Sequence, residues 1–101
     1  MLTCILANMK LIKLSGREMA ALRSIPNAGS TGAEIMERTQ IVPDELCDVL
    51  NGLADVGYLE AFAPGSQLPY IDPVPVNELL RTRYEVNPSY VFDLKKAMMR
   101  S

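Results

Sequence analysis

The stretch that decides the fold is residues 43–57, PDELCDVLNGLADVG, followed directly by Tyr58-Leu59-Glu60. Apolar residues recur here at the three- and four-residue spacing of an α-helix, and the opposite face is polar and acidic. Pro43 suits the first helical position, and Gly57 suits the left-handed residue that ends a helix. We therefore predict a helix over residues 43–57 that leads into a strand over residues 58–63. The apolar set is Leu46, Val49, Leu50, Leu53 and Val56, and the polar set is Asp44, Glu45, Asp48, Asn51, Gly52 and Asp55.

Two earlier helices are indicated by capping boxes, in which a hydroxyl residue and a glutamate three positions later satisfy each other's free backbone N–H groups. The first box is Ser15-x-x-Glu18 and the second is Thr31-x-x-Glu34. They predict helices over residues 16–25 and 32–39. Only residues 40–42 separate the second helix from the third, so the two should cross steeply as a helix-turn-helix.

The segment after the first strand is rich in proline. Residues 64–80 hold four of the seven prolines, which predicts an extended loop with one helical turn at residues 77–80. Residues 81–86 then alternate in polarity and predict a strand antiparallel to the first. The apolar side chains of this loop either fold back on the domain or stay exposed for a partner; they are Leu68, Tyr70, Ile71, Val74 and Val76.

Both ends of the chain carry apolar residues at helical spacing. Residues 1–13 could be helix or strand, whereas Asn87-Pro88 predicts the start of a C-terminal helix. These segments could pack on their own core or against a second copy. The candidate dimer contacts are Leu2, Ile5, Leu6, Met9, Tyr90, Leu94 and Met98.

Composition argues for one small domain and against an enzyme. The chain has 101 residues, 49% of them hydrophobic, with a net charge of −2 and no histidine. The absence of histidine removes the commonest general base and the usual zinc ligand, and two cysteines cannot form a zinc site. We therefore expect no cofactor and no metal. No segment has the pattern of a signal peptide or the length of a membrane span, which predicts a cytoplasmic protein with no membrane partner.

The order of the predicted elements, and the residue types at matching positions within them, resemble the winged helix-turn-helix of MarR-like bacterial and archaeal transcription regulators. The resemblance implies an α+β, mostly α fold: a three-helix core over residues 14–57 and a two-stranded β-wing over residues 58–87 with its long loop at 64–80. Residues 1–13 and the helix 88–101 would flank this core. It further implies DNA binding and dimerisation through the flanking segments. The residues that carry it are Leu14, Ser15, Leu22, Thr31, Glu34, Ile35, Ile41, Val42, Pro43, Leu46, Leu50, Leu53, Gly57, Tyr58 and Leu59.

The third helix departs from that family in charge. Members place basic and amide side chains against bases and phosphates, but here only Asn51 could read a base edge in the usual way. Contact with double-stranded DNA is therefore expected through Arg81 and Arg83, assisted by Lys10 and Lys13. The alternative is a docking module for a protein with a basic or apolar surface, without DNA binding. Its candidate contacts are Asp44, Glu45, Asp48, Asp55, Tyr70 and Ile71.

Overall fold

The computed structural model describes residues 12–99, which form an α+β fold with a three-stranded antiparallel sheet. Residues 1–11 and 100–101 lie outside this range, so the predictions on Leu2, Ile5, Leu6, Met9 and Lys10 do too, as does the choice between helix and strand at the N-terminus. The elements in order are α1 (Gly16–Arg23), β1 (Ser30–Thr31), α2 (Gly32–Thr39), α3 (Pro43–Asp55), β2 (Leu59–Phe62), a 3-10 helix (Val76–Arg81), β3 (Arg83–Val86), a second 3-10 helix (Pro88–Tyr90) and α4 (Val91–Met99).

Both predicted capping boxes are present. The Ser15 hydroxyl accepts from the Glu18 N–H at 3.1 Å, and the Glu18 carboxylate accepts from the Ser15 N–H at 2.8 Å. Thr31 and Glu34 make the same pair of bonds, at 3.2 and 2.9 Å. Because these bonds satisfy orphan donors at the helix start, they fix where α1 and α2 begin.

The turn between α2 and α3 is as short as the sequence predicts. Gln40 ends α2 in the left-handed region at φ 60°, and α3 begins at Pro43. Gly57 has a φ of +91°, which agrees with its predicted role after the helix. The prediction for Val56 is wrong: α3 ends at Asp55, and the Val56 side chain is exposed rather than part of the buried stripe.

The sheet has three strands where the sequence predicted two. Its order is β1-β3-β2, and Tyr84 of the central strand faces Ser30 on one side and Ala61 on the other. The unpredicted strand β1 contains only Ser30 and Thr31, which the sequence shows as the entry to a helix. The step from β1 into α2 needs Gly32, because a Cβ atom there would lie 2.0 Å from the carbonyl oxygen of Leu79.

One core joins α3 to the sheet and to both neighbouring helices. It includes the predicted inner positions of α3, namely Leu46, Leu50 and Leu53, all almost fully buried. The C-terminal helix packs on the same core through Leu94, and the Tyr58 and Tyr90 rings meet edge to face with centroids 5.1 Å apart. Among residues 12–99, none of the helices is long and apolar enough to cross a membrane.

Candidate functional site

The long loop after β2 folds back along the domain, and we call residues 64–75 the strap. The Tyr70 N–H donates to the carbonyl of Ala61 at 2.7 Å, and Pro69 forms a single β-bridge with Phe62. The strap therefore runs beside the outer edge of β2, the edge that β3 leaves unpaired. Covering such an edge removes a template for strand pairing with other chains.

The strap then crosses to α3, where Asn51 holds it. The Asn51 side-chain amide donates to the carbonyl of Val74 at 2.9 Å, and its oxygen accepts from the Val74 N–H at 2.9 Å. The Cys47 thiol, one helical turn earlier, donates to the same carbonyl at 3.2 Å. Val74 itself is buried, so this single residue anchors the strap to the flank of α3.

The anchor gives Asn51 a structural role that the sequence pattern did not indicate. The pattern placed Asn51 on the outward face, where its amide could read a base edge. Its two hydrogen-bonding groups are instead both used by the backbone of Val74. Asparagine recognises adenine through its side-chain N–H and oxygen together, and in Asn51 both groups are already bonded to Val74.

The outward face of α3 is acidic. Asp44, Asp48 and Asp55 are all exposed and, at 100° per residue, lie within an arc of about 40° and along about 16 Å of helix. Within residues 12–99 none of the three forms an ion pair. Glu45, which the sequence grouped with them, differs because its carboxylate meets Arg17 of α1 at 3.2 Å. We use the name acidic face for Asp44, Asp48 and Asp55.

A shallow cleft of about 70 Å³ lies between α3 and the strap, beside the acidic face. Asp55 and Asp72 both line it, together with Tyr70 and Ile71. Part of the loop folds back on the domain and part stays exposed. Val74 is buried and Tyr70 half-buried, whereas Ile71 is 99% exposed and Leu68 80% exposed. The strap thus presents apolar side chains to solvent from a backbone that is held in place.

The predicted wing arginines are engaged within the chain. Arg81 ends the first 3-10 helix rather than beginning the strand, which corrects the predicted strand boundary, and it pairs with Glu78. Arg83 lies in β3, pairs with Glu85 at 3.0 Å and covers the Phe62 ring at 5.0 Å from its centroid.

The other arginines among residues 12–99 also have acceptors. Besides the pairing of Arg17 with Glu45, Arg23 donates to the Met98 carbonyl at 3.2 Å and Arg38 to the Ser24 carbonyl at 2.6 Å. Lys13 is exposed and precedes α1.

Two titratable groups sit beneath the strap. Burial, reinforced by the charge of Asp48, raises the pKa of the Cys47 thiol, which disfavours its nucleophilic thiolate form. Burial also raises the pKa of Tyr84 well above its usual range, with smaller contributions from Cys47 and Tyr70. The Tyr84 hydroxyl makes no hydrogen bond of ordinary geometry within residues 12–99. The nearby Thr82 hydroxyl donates to the Glu78 carbonyl at 2.8 Å.

The predicted dimer contacts on the C-terminal helix are partly used by the chain itself. Leu94 is buried and Tyr90 packs on Tyr58, which leaves Met98 half-buried at the edge of the core. Five residues of α4 are exposed: Phe92, Asp93, Lys95, Lys96 and Met99. At 100° per residue, all of them except Asp93 lie within an arc of about 100° on one side of the helix.

Residues 12–99 contain no cluster of three or more side chains suited to a metal ion. Comparison with protein-family models, with curated proteins and with solved structures finds no match for this chain. The residues that the fold brings together are therefore the basis for a functional proposal. These are the acidic face, the cleft beside it and the strap anchored at Asn51.

Proposed function

We propose that this chain is a non-enzymatic winged-helix module that docks another protein through the acidic face of α3 and does not read DNA sequence. The winged-helix arrangement is supported by the order of elements: a short strand between the first two helices and two strands after the third, all in one antiparallel sheet. The fold alone does not decide between DNA and protein partners. The choice rests on the side chains of α3.

The observation that carries the proposal is the pairing of Asn51 with Val74 beneath an acidic outer face. With Asn51 engaged, the outward side of α3 offers Asp44, Asp48 and Asp55. At about 4 Å in water, each carboxylate costs on the order of 1 kcal/mol against a phosphate. Specific DNA recognition requires roughly 4–10 kcal/mol beyond nonspecific binding, so three such contacts oppose it.

The wing adds little to DNA affinity in this arrangement. Arg81 and Arg83 each form an ion pair with a glutamate. To contact DNA, each arginine would have to leave its glutamate carboxylate and bind a phosphate instead. Exposed ion pairs are weak and can exchange, but the net charge that the wing presents to a polyanion is close to neutral.

A protein partner fits the same surface better. Exposed carboxylates favour a basic partner, whereas the exposed Ile71 in the cleft beside Asp55 favours contact with apolar side chains. The partner expected from these features is a protein segment that presents lysine or arginine side chains next to apolar side chains.

The proposal is tested by following the backbone amide resonances of the full chain while a short amphipathic Lys/Leu peptide is added. We expect shifts at Asp48, Asp55 and Ile71 that weaken with salt and disappear in Asp48→Lys/Asp55→Lys. The matched control is Glu37→Lys, which reverses an exposed carboxylate on α2 and should leave the shifts in place. Shifts confined to other surfaces, or shifts that survive reversal of Asp48 and Asp55, would overturn the proposal.

A further inference from the structure

The exposed side of α4 is a second surface with a defined chemical character. Phe92, Lys95, Lys96 and Met99 are spaced so that they share one side of the helix over about 10 Å. Phe92 is 72% exposed and Met99 84% exposed, and the Lys96 ammonium lies 5.3 Å from the centre of the Phe92 ring. We call these four residues the basic face.

The basic face and the acidic face match each other in charge and in apolar content. One surface presents two ammonium groups beside Phe92 and Met99. The other presents the carboxylates of α3, with Asp72 and the exposed Ile71 lining the same cleft as Asp55. Opposite charges steer and orient an encounter, and large apolar side chains that become buried together supply affinity.

Resting on the proposed docking function, we infer that the partner is a second copy of this chain, whose basic face meets the acidic face of the first. The two faces lie on different elements, α4 and α3, so each copy brings one of each. Such an interface joins unlike surfaces, and it produces a closed ring or a longer array according to the rotation between copies.

The carboxylates of the acidic face have no cationic partner in the described part of their own copy, and the ammonium groups of the basic face of a second copy could pair with them. Lys95 and Lys96 form no ion pair within residues 12–99, nor do Asp48 and Asp55. Pairing between copies would satisfy all four groups. Phe92 would lose most of its exposed area in the same contact, and burying an aromatic side chain is a common source of binding energy in interfaces.

Sedimentation of the full chain over a range of concentrations tests this inference with two complementary variants. Asp48→Lys/Asp55→Lys reverses the acidic face, and Lys95→Glu/Lys96→Glu reverses the basic face. We expect the parent to associate more weakly as salt rises and each variant alone to stay monomeric at concentrations where the parent associates. An equimolar mixture of the two variants should form a 1:1 complex, because each contributes one unaltered face. Phe92→Ala should weaken association of the parent roughly tenfold or more.

Glu37→Lys serves again as the control and should sediment as the parent does. A parent that stays monomeric, or that associates equally well after either reversal, would overturn the inference. If the parent is monomeric and the Lys/Leu peptide still binds the acidic face, self-association fails and protein docking stands. If the peptide does not bind either, the proposed function fails as well.

Discussion

The side-chain amide of Asn51 pairs with both backbone polar groups of Val74, at 2.9 Å in each direction, as a neighbouring strand would. Replacing it with an apolar residue of similar size leaves the Val74 N–H and carbonyl without these partners. We expect Asn51→Leu to lower the free energy of unfolding by about 1–3 kcal/mol and to speed hydrogen exchange at the Val74 amide. Urea unfolding and amide exchange measure the two effects.

Asn77→Ala is the matched control for this change, because Asn77 is exposed at the start of the 3-10 helix. It should alter stability by less than about 0.5 kcal/mol. Equal stability of Asn51→Leu and the parent, with slow exchange retained at Val74, would show that other contacts hold the strap.

Gly32 and Gly52 give opposite expectations for the same substitution. A Cβ atom at Gly32 would meet the Leu79 carbonyl oxygen at 2.0 Å, whereas a Cβ at Gly52 would have nothing within 4 Å. Gly32→Ala should therefore destabilise by about 3 kcal/mol or more. Gly52→Ala, in the exposed interior of α3, should stabilise by about 1 kcal/mol. Thermal unfolding distinguishes the two, and a tolerated Gly32→Ala would contradict the close approach of α2 to the 3-10 helix.

The Tyr84 hydroxyl is buried without a hydrogen-bond partner among residues 12–99. Because an unsatisfied buried donor carries a desolvation cost, Tyr84→Phe should raise the free energy of unfolding by about 1 kcal/mol. Tyr58→Phe, in which the ring remains packed on Tyr90, should change it by less than about 0.5 kcal/mol. A loss of stability in Tyr84→Phe would mean that the hydroxyl has a partner in solution.

The capping box of α2 makes stability depend on pH. The Thr31 N–H that donates to the Glu34 carboxylate lowers the pKa of Glu34, with smaller help from Arg38 and the Thr31 hydroxyl. A carboxyl whose pKa is lower in the folded state stabilises the fold above its unfolded pKa, near 4.5, and loses that effect as pH falls through the folded pKa.

We therefore expect Glu34→Gln to have a lower Tm than the parent at neutral pH, and the gap to close in acid. Glu37→Gln, whose carboxylate has no hydrogen bond within the described residues, should track the parent at every pH. A Tm gap for Glu34→Gln that stays constant from neutral to acid pH would argue against the role of the ionised carboxylate.

The features that could be predicted from the sequence depend on neighbours along the chain. The capping boxes at Ser15 and Thr31 specify helix starts within four residues, and Pro43 and Gly57 bracket α3 in the same local way. The alternation after residue 81 likewise predicts a strand with Thr82 and Tyr84 inside, and both are fully buried.

The features that could not be predicted depend on distant partners. Strand β1 exists because Ser30 and Thr31 pair with residues of β3 more than fifty positions later. The helical pattern places Asn51 among the outward polar residues of α3. Its partner Val74 lies in the strap, 23 positions further along the chain, so neighbouring residues do not indicate the contact. Helical spacing places Leu94 on the apolar side of α4, and Leu94 is buried as that spacing predicts. The sequence did not indicate that Phe92 and Met99 form an exposed apolar pair.

The most direct test of the central claim, that the outer face of α3 repels polyanions, is the fluorescence anisotropy of a labelled generic duplex at low and moderate salt. The proteins are the parent, Arg81→Ala/Arg83→Ala and Asp48→Lys. The affinity of a protein for DNA phosphates falls steeply as salt rises, so any binding to the duplex is strongest at low salt. We expect no binding by the parent at either salt concentration and a gain of binding at low salt in Asp48→Lys. Salt-dependent binding by the parent that weakens in Arg81→Ala/Arg83→Ala would contradict the account.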